Sequence, residues 1–310
     1  MIPLFDAHCD TLSAMLESGE PFGRNKLHVD LERGRNYAPW AQFFAIFGRE
    51  FMPQYELLQS VLAENAAHMA FCRNVTDVRA AAQAGKLAAF LSVEGAELLD
   101  CDLDRLTEAY ALGVRMVTLT WNHRNALSGT NVEATNCGLT ALGRQFVRRC
   151  QKLGVIVDVS HLSEPGFWDV AETLTVPFVA SHSNAKALCA HSRNLTDAQF
   201  LAIVKASGVA GLNLYSEFVG ENPNVDTAIR HIEHFLSLGG EKSVAIGADL
   251  DGCDSLPQSI NGIEDLGKLA EELLRRNYSE ALVHDIFYNN LFRVVEEVCS
   301  PPPAAGKNSK

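Results

Sequence analysis

The stretch LFDAHCDTLSAML, residues 4–16, changes character in its middle. Its first half is apolar and reads as a strand. Its second half reads as a helix opened by Asp10 or Thr11 as N-cap. His8 and Asp10 stand at the junction, two residues apart, and such residues project from the same face of a strand. The pair suits two metal ligands or an acid and its base. It equally suits a strand that stops at polar residues before its helix. Cys9, between them, points the other way and reads as a small packed side chain.

The same strand-then-helix unit recurs along the chain. Apolar runs stand at residues 2–8 (IPLFDAH), 41–47 (AQFFAIF), 87–94 (LAAFLSVE), 114–121 (VRMVTLTW), 155–161 (VIVDVSH), 177–183 (PFVASHS), 209–215 (VAGLNLY) and 244–250 (VAIGADL). Their nearly continuous apolar character is that of parallel strands buried on both faces. Amphipathic segments lie between them: residues 52–72, 139–154 and 224–240 read as helices. Gly154, Gly208 and the Gly239–Gly240 pair sit where helix C-caps belong. Eight strands alternating with helices over 310 residues predict a single-domain (β/α)8 TIM barrel spanning residues 1–299. An open doubly wound sheet is the other α/β choice, but no G-x-G-x-x-G follows any strand. The terminal SPPPAAGKNSK, residues 300–310, reads as a flexible tail.

Composition narrows the function. Lys and Arg total 26 against 38 Asp and Glu, a net charge of −12, which argues against nucleic acid or an anionic membrane as partner. There is no basic segment followed by an apolar one at the start and no run of about 18 apolar residues. The eight cysteines contain no C-x-x-C, as expected of reduced thiols. A cytoplasmic location is expected.

Barrel active sites lie at the C-terminal ends of the strands. Those ends carry His8 and Asp10, then Glu94, then Asn122 and His123, then His161, His182, Tyr215, and finally Asp249 and Asp251. A lone histidine at a strand end is commonly a packing residue. Three histidines and three carboxylates converging on one pocket are another matter, because buried charges must be paired or metal-bound. Imidazole and carboxylate together suit zinc or another borderline divalent ion. A carboxylate such as Glu94 can bridge two ions roughly 3.5–4 Å apart. His231 and His234, one helical turn apart in RHIEHF, belong to an outer helix and are set aside, as are His68 and His284 in helical stretches. His28 and His191 fall in loops and receive no role.

Taken together, FDAHCD (5–10), VEG (93–95), TLTWN (118–122), DVSH (158–161), SHSNAKALCAHSRN (181–194), NLY (213–215) and GADLDG (247–252) resemble the membrane (renal) dipeptidase family of metallopeptidases, in the amidohydrolase superfamily. The resemblance covers nearly the whole chain except its tail. It implies a binuclear zinc dipeptidase acting through a metal-bridging hydroxide, with dipeptides ending in a D-residue among its possible substrates. His8, Asp10 and Glu94 would hold one Zn2+, and Glu94, His161 and His182 the other. Asp249 would be the catalytic acid and base, and Arg193 and Tyr215 would hold the substrate, Arg193 through its free carboxylate. Trp121 stands where animal members carry a histidine after T-L-T, which leaves Asn122 or His123 to supply the missing donor. A homodimer is also implied.

Two other readings have stated marks against them. A relative acting on a cyclic amide, lactone or β-lactam commonly carries H-x-H on its first strand and a lysine at the end of its fourth; this chain has H-x-D and no such lysine. A catalytically silent ligand-binding barrel is expected to lack a ligand or the acid/base, and here none is missing.

Overall fold

The computed structural model describes residues 1–48, 50–133 and 137–299; the expected tail at 300–310 lies outside the described residues. Nine strands are present among them: β1 Ile2–Cys9, β2 Tyr37–Phe47, β3 Met69–Phe71, β4 Leu87–Glu94, β5 Val114–Thr118, β6 Ile156–Asp158, β7 Val179–Ala180, β8 Val209–Leu212 and β9 Val244–Ile246. Eight of them close into a parallel barrel in the order β1-β2-β4-β5-β6-β7-β8-β9 and back to β1. Each contains part of one of the eight apolar runs, and helices connect them around the outside.

The ninth strand corrects the reading of residues 52–72 as one helix. That helix spans Phe51–Glu64 and ends at Asn65, whose amide and side chain both donate to the Val61 carbonyl. After a turn, Met69–Phe71 pairs with Leu87–Ala89 of β4, below the point where β5 begins its own pairing at Leu91. Three residues are too few for a period to show in sequence. Gly208 is a second correction. Gly154 does cap its helix in the left-handed region at φ 79°, but at the later helix end it is Ser207 that turns left-handed. Gly208 is small for another reason: a Cβ there would overlap the carbonyl oxygen of Phe178, just before β7.

Inside the barrel, one apolar side chain from each strand forms a plug: Phe5, Phe43, Phe90, Met116, Ile156, Val179, Val209 and Ala245. The three phenylalanine rings pack with centroids 4.9–5.8 Å apart. Each such ring taken from water contributes roughly 1.5–3 kcal/mol. The plug makes the barrel solid at this level. Polar side chains can then collect only above it, at the C-terminal mouth.

Candidate metal centre

His8 reaches the mouth because β1 breaks its alternation. Phe5 of the plug and Ala7 belong to one buried cluster, so strict alternation would turn His8 outward. The pairing of β1 with β2 slips between Asp6 and Cys9 instead. Asp6 Oδ1 accepts the His8 amide at 3.3 Å and the Ala248 amide at 2.9 Å. Such a slip is how a strand re-aims a side chain beside a site. Glu94 is the last residue of β4. His161 and Asp249 follow β6 and β9 with φ of 65° and 59°, the left-handed region that histidine and aspartate enter more readily than most residues.

Six residues meet there, none more than 7% exposed. His8 Nε2 lies 3.4 Å from Glu94 Oε2, 3.5 Å from Asp10 Oδ2 and 3.8 Å from Asp249 Oδ1. The other Glu94 oxygen, Oε1, lies 2.9 Å from His161 Nε2 and 3.5 Å from His182 Nε2. Those two ring nitrogens are 3.1 Å apart. Glu94 thus divides its oxygens between two groups, His8 with Asp10 on one side and His161 with His182 on the other.

These groups fit divalent ions. His161 Nδ1 meets Asn122 Oδ1 at 2.9 Å; the amide oxygen only accepts, so the ring proton sits on Nδ1 and Nε2 presents a lone pair. A lone pair 3.1 Å from a second ring nitrogen and 2.9 Å from a carboxylate oxygen is stabilised by a cation between them. Neither nitrogen of His8 nor Asp10 Oδ1 has a hydrogen-bond partner in the protein, although all three are buried. The set {His8, Glu94, His182} and the set {His8, Asp10, Asp249} each bring ligand atoms within 4.8 Å of one another. The neutral imidazoles and ionised carboxylates of such sites match the donor set of zinc.

Charge makes the same demand. Burial pushes the Asp10 carboxyl up to about 7, and the neighbouring Glu94 charge adds to the push. Burial and then Arg193 bring the His161 imidazole down to about 4. For His8, burial is outweighed by Glu94 and Asp10, which raise it well above its ordinary value. A buried cluster this acidic holds its ligand protonation states once positive charge is added.

Above the six residues opens a cavity of about 250 Å³, smaller than the ~300–1,000 Å³ of sites for drug-sized ligands. Phe47 and Trp121 pack edge-to-face at 5.0 Å on its wall, and Tyr215 and Phe218 at 4.8 Å. Arg193 lies in the wall, 3% exposed, with its guanidinium 5.4 Å above the Phe218 ring. Its Nη2 reaches the His182 carbonyl at 3.4 Å, while Nε and Nη1 have no partner.

His123 departs from expectation. Its side chain is 78% exposed and turns to Glu133, 3.5 Å away, while its neighbour Asn122 points inward to His161. On an irregular loop, adjacent side chains diverge, and sequence spacing does not say which one enters. His231 is fully buried in hydrogen bonds to the Ala185 amide and the Val219 carbonyl, and His234 pairs with Asp197 at 2.7 Å; neither joins the centre. His28 is drawn to Asp251, which accepts its amide and donates its own amide to His28 Nδ1. His191, left without a role by the sequence, lines the cavity and packs against Phe218 with ring centroids 4.5 Å apart.

Sequence reading also passed over the polar residues beneath the ligands. Asn213 donates to Asp249 Oδ2 at 2.9 Å. Asp158 accepts the hydroxyls of Thr118 (2.7 Å) and Ser181 (2.6 Å) and the amides of Ser160 (2.9 Å) and Ser181 (2.8 Å). Burial alone would raise the Asp158 carboxyl, but His182 and these donors hold it below the usual range. Their signal was present: each is a polar residue on an otherwise apolar strand end.

The family model for membrane dipeptidase, peptidase family M19, matches residues 1–301. Among curated proteins, the chain is 34% identical to a Klebsiella pneumoniae protein named only for its place in the pqqA 5′ region, over 79% of this chain and 94% of that one. Among solved structures it superposes with a TM-score of 0.89 and 28% identity on a Rhodobacter sphaeroides metallopeptidase liganded with a phosphinate mimic of the dipeptide L-Ala-D-Ala, covering 96% of this chain and 99% of that one. Dipeptidase AC, also of family M19, gives a TM-score of 0.90 at 28% identity, covering 97% of this chain and 99% of that one. No helix of the described residues is long and apolar enough to cross a membrane. With the barrel, the buried ligand cluster and a family match along its length, the chain belongs to the membrane dipeptidase family, peptidase family M19, and is a metal-dependent dipeptidase.

Proposed function

We propose that this protein cleaves dipeptides with both termini free, including those with a D-residue at the second position, at a pair of zinc ions. His8, Asp10 and Glu94 hold one ion, and Glu94, His161 and His182 the other. The observation that carries this reading is the division of Glu94, with Oε2 facing His8 and Oε1 facing His161 and His182. One carboxylate addressing two ligand groups is the arrangement a two-metal hydrolase needs. The bound mimic of L-Ala-D-Ala in the Rhodobacter sphaeroides relative supports the dipeptide and the D-residue.

When bound, the two ions supply an acidified water able to attack near neutral pH and polarisation of the scissile carbonyl. The chain supplies the rest. Asp249 has Oδ2 held by Asn213, leaving Oδ1 to take the proton of the attacking water and return it to the departing amine. Arg193 keeps N–H groups without a protein partner and holds the substrate carboxylate through charge-assisted hydrogen bonds. Tyr215 stands on the same wall and orients the substrate there. Phe47 and Trp121, which also line the cavity, exclude water from it, which strengthens each polar contact inside.

The test is amino-acid release from a panel of L,L and L,D dipeptides by zinc-loaded and chelated protein in parallel. Zinc-dependent release, with N-blocked and amidated analogues resisting, is the expected result. Protein shown to hold two zinc ions yet cleaving no dipeptide overturns the substrate assignment.

A further inference from the structure

Beneath the ligands lies a chain of contacts with a fixed direction. Ser181 Oγ is 2.6 Å from Asp158 Oδ2 and 2.7 Å from His182 Nδ1. A serine hydroxyl carries one proton and an ionised carboxylate can only accept. Asp158 accepts at both oxygens: the amides of Ser160 and Ser181 at Oδ1, the hydroxyls of Thr118 and Ser181 at Oδ2. The Ser181 proton therefore goes to Asp158, and Ser181 Oγ accepts from His182 Nδ1. That places the ring proton on Nδ1 and leaves Nε2 as a lone pair facing Glu94 Oε1 and His161 Nε2. With the proton on Nε2 instead, His182 could donate to Glu94 but could not bind an ion.

We infer that Asp158 and Ser181 are positioning residues that select the metal-binding tautomer of His182, and so set the affinity of one of the two ions. The inference rests on the metal reading proposed above. All four residues, Thr118, Asp158, Ser181 and His182, are 0–1% exposed, so water does not compete for these hydrogen bonds. His161 reaches the same tautomer through a separate partner, Asn122, and His8 has no such chain. The effect of breaking the Ser181 link therefore falls on the ion shared by His161 and His182 and spares the one at His8 and Asp10. Partners of this kind are worth about 10–100-fold in metal affinity.

The experiment titrates the metal-free protein with Zn2+ against a chromophoric chelator, for wild type, Ser181→Ala, Ser181→Thr, Asp158→Asn and the control Ser92→Ala. Ser92 is a buried β4 residue whose hydroxyl has no partner. In Ser181→Ala, one of the two affinities falls about 10–100-fold and the other stays within about twofold. Ser181→Thr keeps the hydroxyl and restores the weakened ion, and Ser92→Ala leaves both unchanged. If Asp158→Asn does not fold, Ser181→Ala and its threonine rescue still decide. Two ions bound by Ser181→Ala as tightly as by wild type, or both weakened equally, overturn the inference alone. Wild-type protein that binds no pair of ions overturns the metal reading and this inference with it.

Discussion

Asn213 donates its side-chain amide to Asp249 Oδ2 at 2.9 Å and to the His182 carbonyl at 3.2 Å, while its own Oδ1 accepts the Tyr215 amide at 2.6 Å. Its backbone is clamped on both sides by Asn184. One buried amide thus ties together the proposed proton carrier, a proposed metal ligand and a cavity-wall residue. A hydrogen bond to a charged group is worth about 1.5–3 kcal/mol, and each 1.36 kcal/mol is tenfold in rate. Asn213→Ala is expected to lower kcat about 10–100-fold with KM and zinc content nearly unchanged. Steady-state kinetics beside metal analysis decides, and full turnover would remove Asn213 from the machinery.

Asp249→Asn tests the proton carrier directly. The amide keeps the shape of the side chain and its contact with Asn213 but cannot take a proton at neutral pH. Loss of turnover by about 10²–10⁴-fold, with two zinc ions retained by mass spectrometry, is the expected outcome. An active variant would falsify the assignment.

Gly252 has no room for a side chain. A Cβ built there would overlap Asp10 Oδ2 and Asp249 Oδ1 at once. Gly252→Ala therefore displaces Asp10, a proposed ligand, and Asp249, the proposed proton carrier, together. We expect a folded protein that has lost at least tenfold in activity and binds zinc more weakly at the His8 side. A variant with wild-type zinc affinity and rate would show that the loop yields without consequence.

Asp158 gives stability a pH signature. Its folded-state pKa is depressed from an unfolded value of about 3.9. A depressed acid contributes stability that is fully present above the unfolded value and is lost as pH falls through the folded one. In urea melts of metal-free protein, Asp158→Asn should be less stable than wild type near pH 7. The gap should narrow as pH drops below about 4. A gap constant down to pH 3 would mean that Asp158 contributes through shape and not charge.

The fold was legible because its signal is local and repeated. Eight apolar runs announce eight buried strands, and chain order in a (β/α)8 barrel is also spatial order, so the strand ends already enumerate the site. Elements defined by non-local neighbours were not legible. Met69–Phe71 is a strand only because the edge of β4 that β5 takes up from Leu91 onward is still open at Leu87–Ala89, where β2 pairs the other edge. Gly208 is a glycine because the Phe178 carbonyl approaches it. Asn122 and His123 are adjacent in sequence, yet one supports a ligand and the other faces solvent.

By itself the sequence determined which residue types stand at which strand ends, and with them the architecture and the set of ligand-type side chains around Glu94. Those follow from periodicity and residue chemistry, both local properties. The tertiary structure alone decided how the set is wired. The slip in β1 turns His8 inward after Ala7. Asn122 and Ser181 take up the Nδ1 sides of His161 and His182, and Glu94 is divided between two groups of ligand-type side chains. Hydrogen-bond direction depends on distances of a few tenths of an ångström between strands far apart in sequence, and only closure of the barrel sets them.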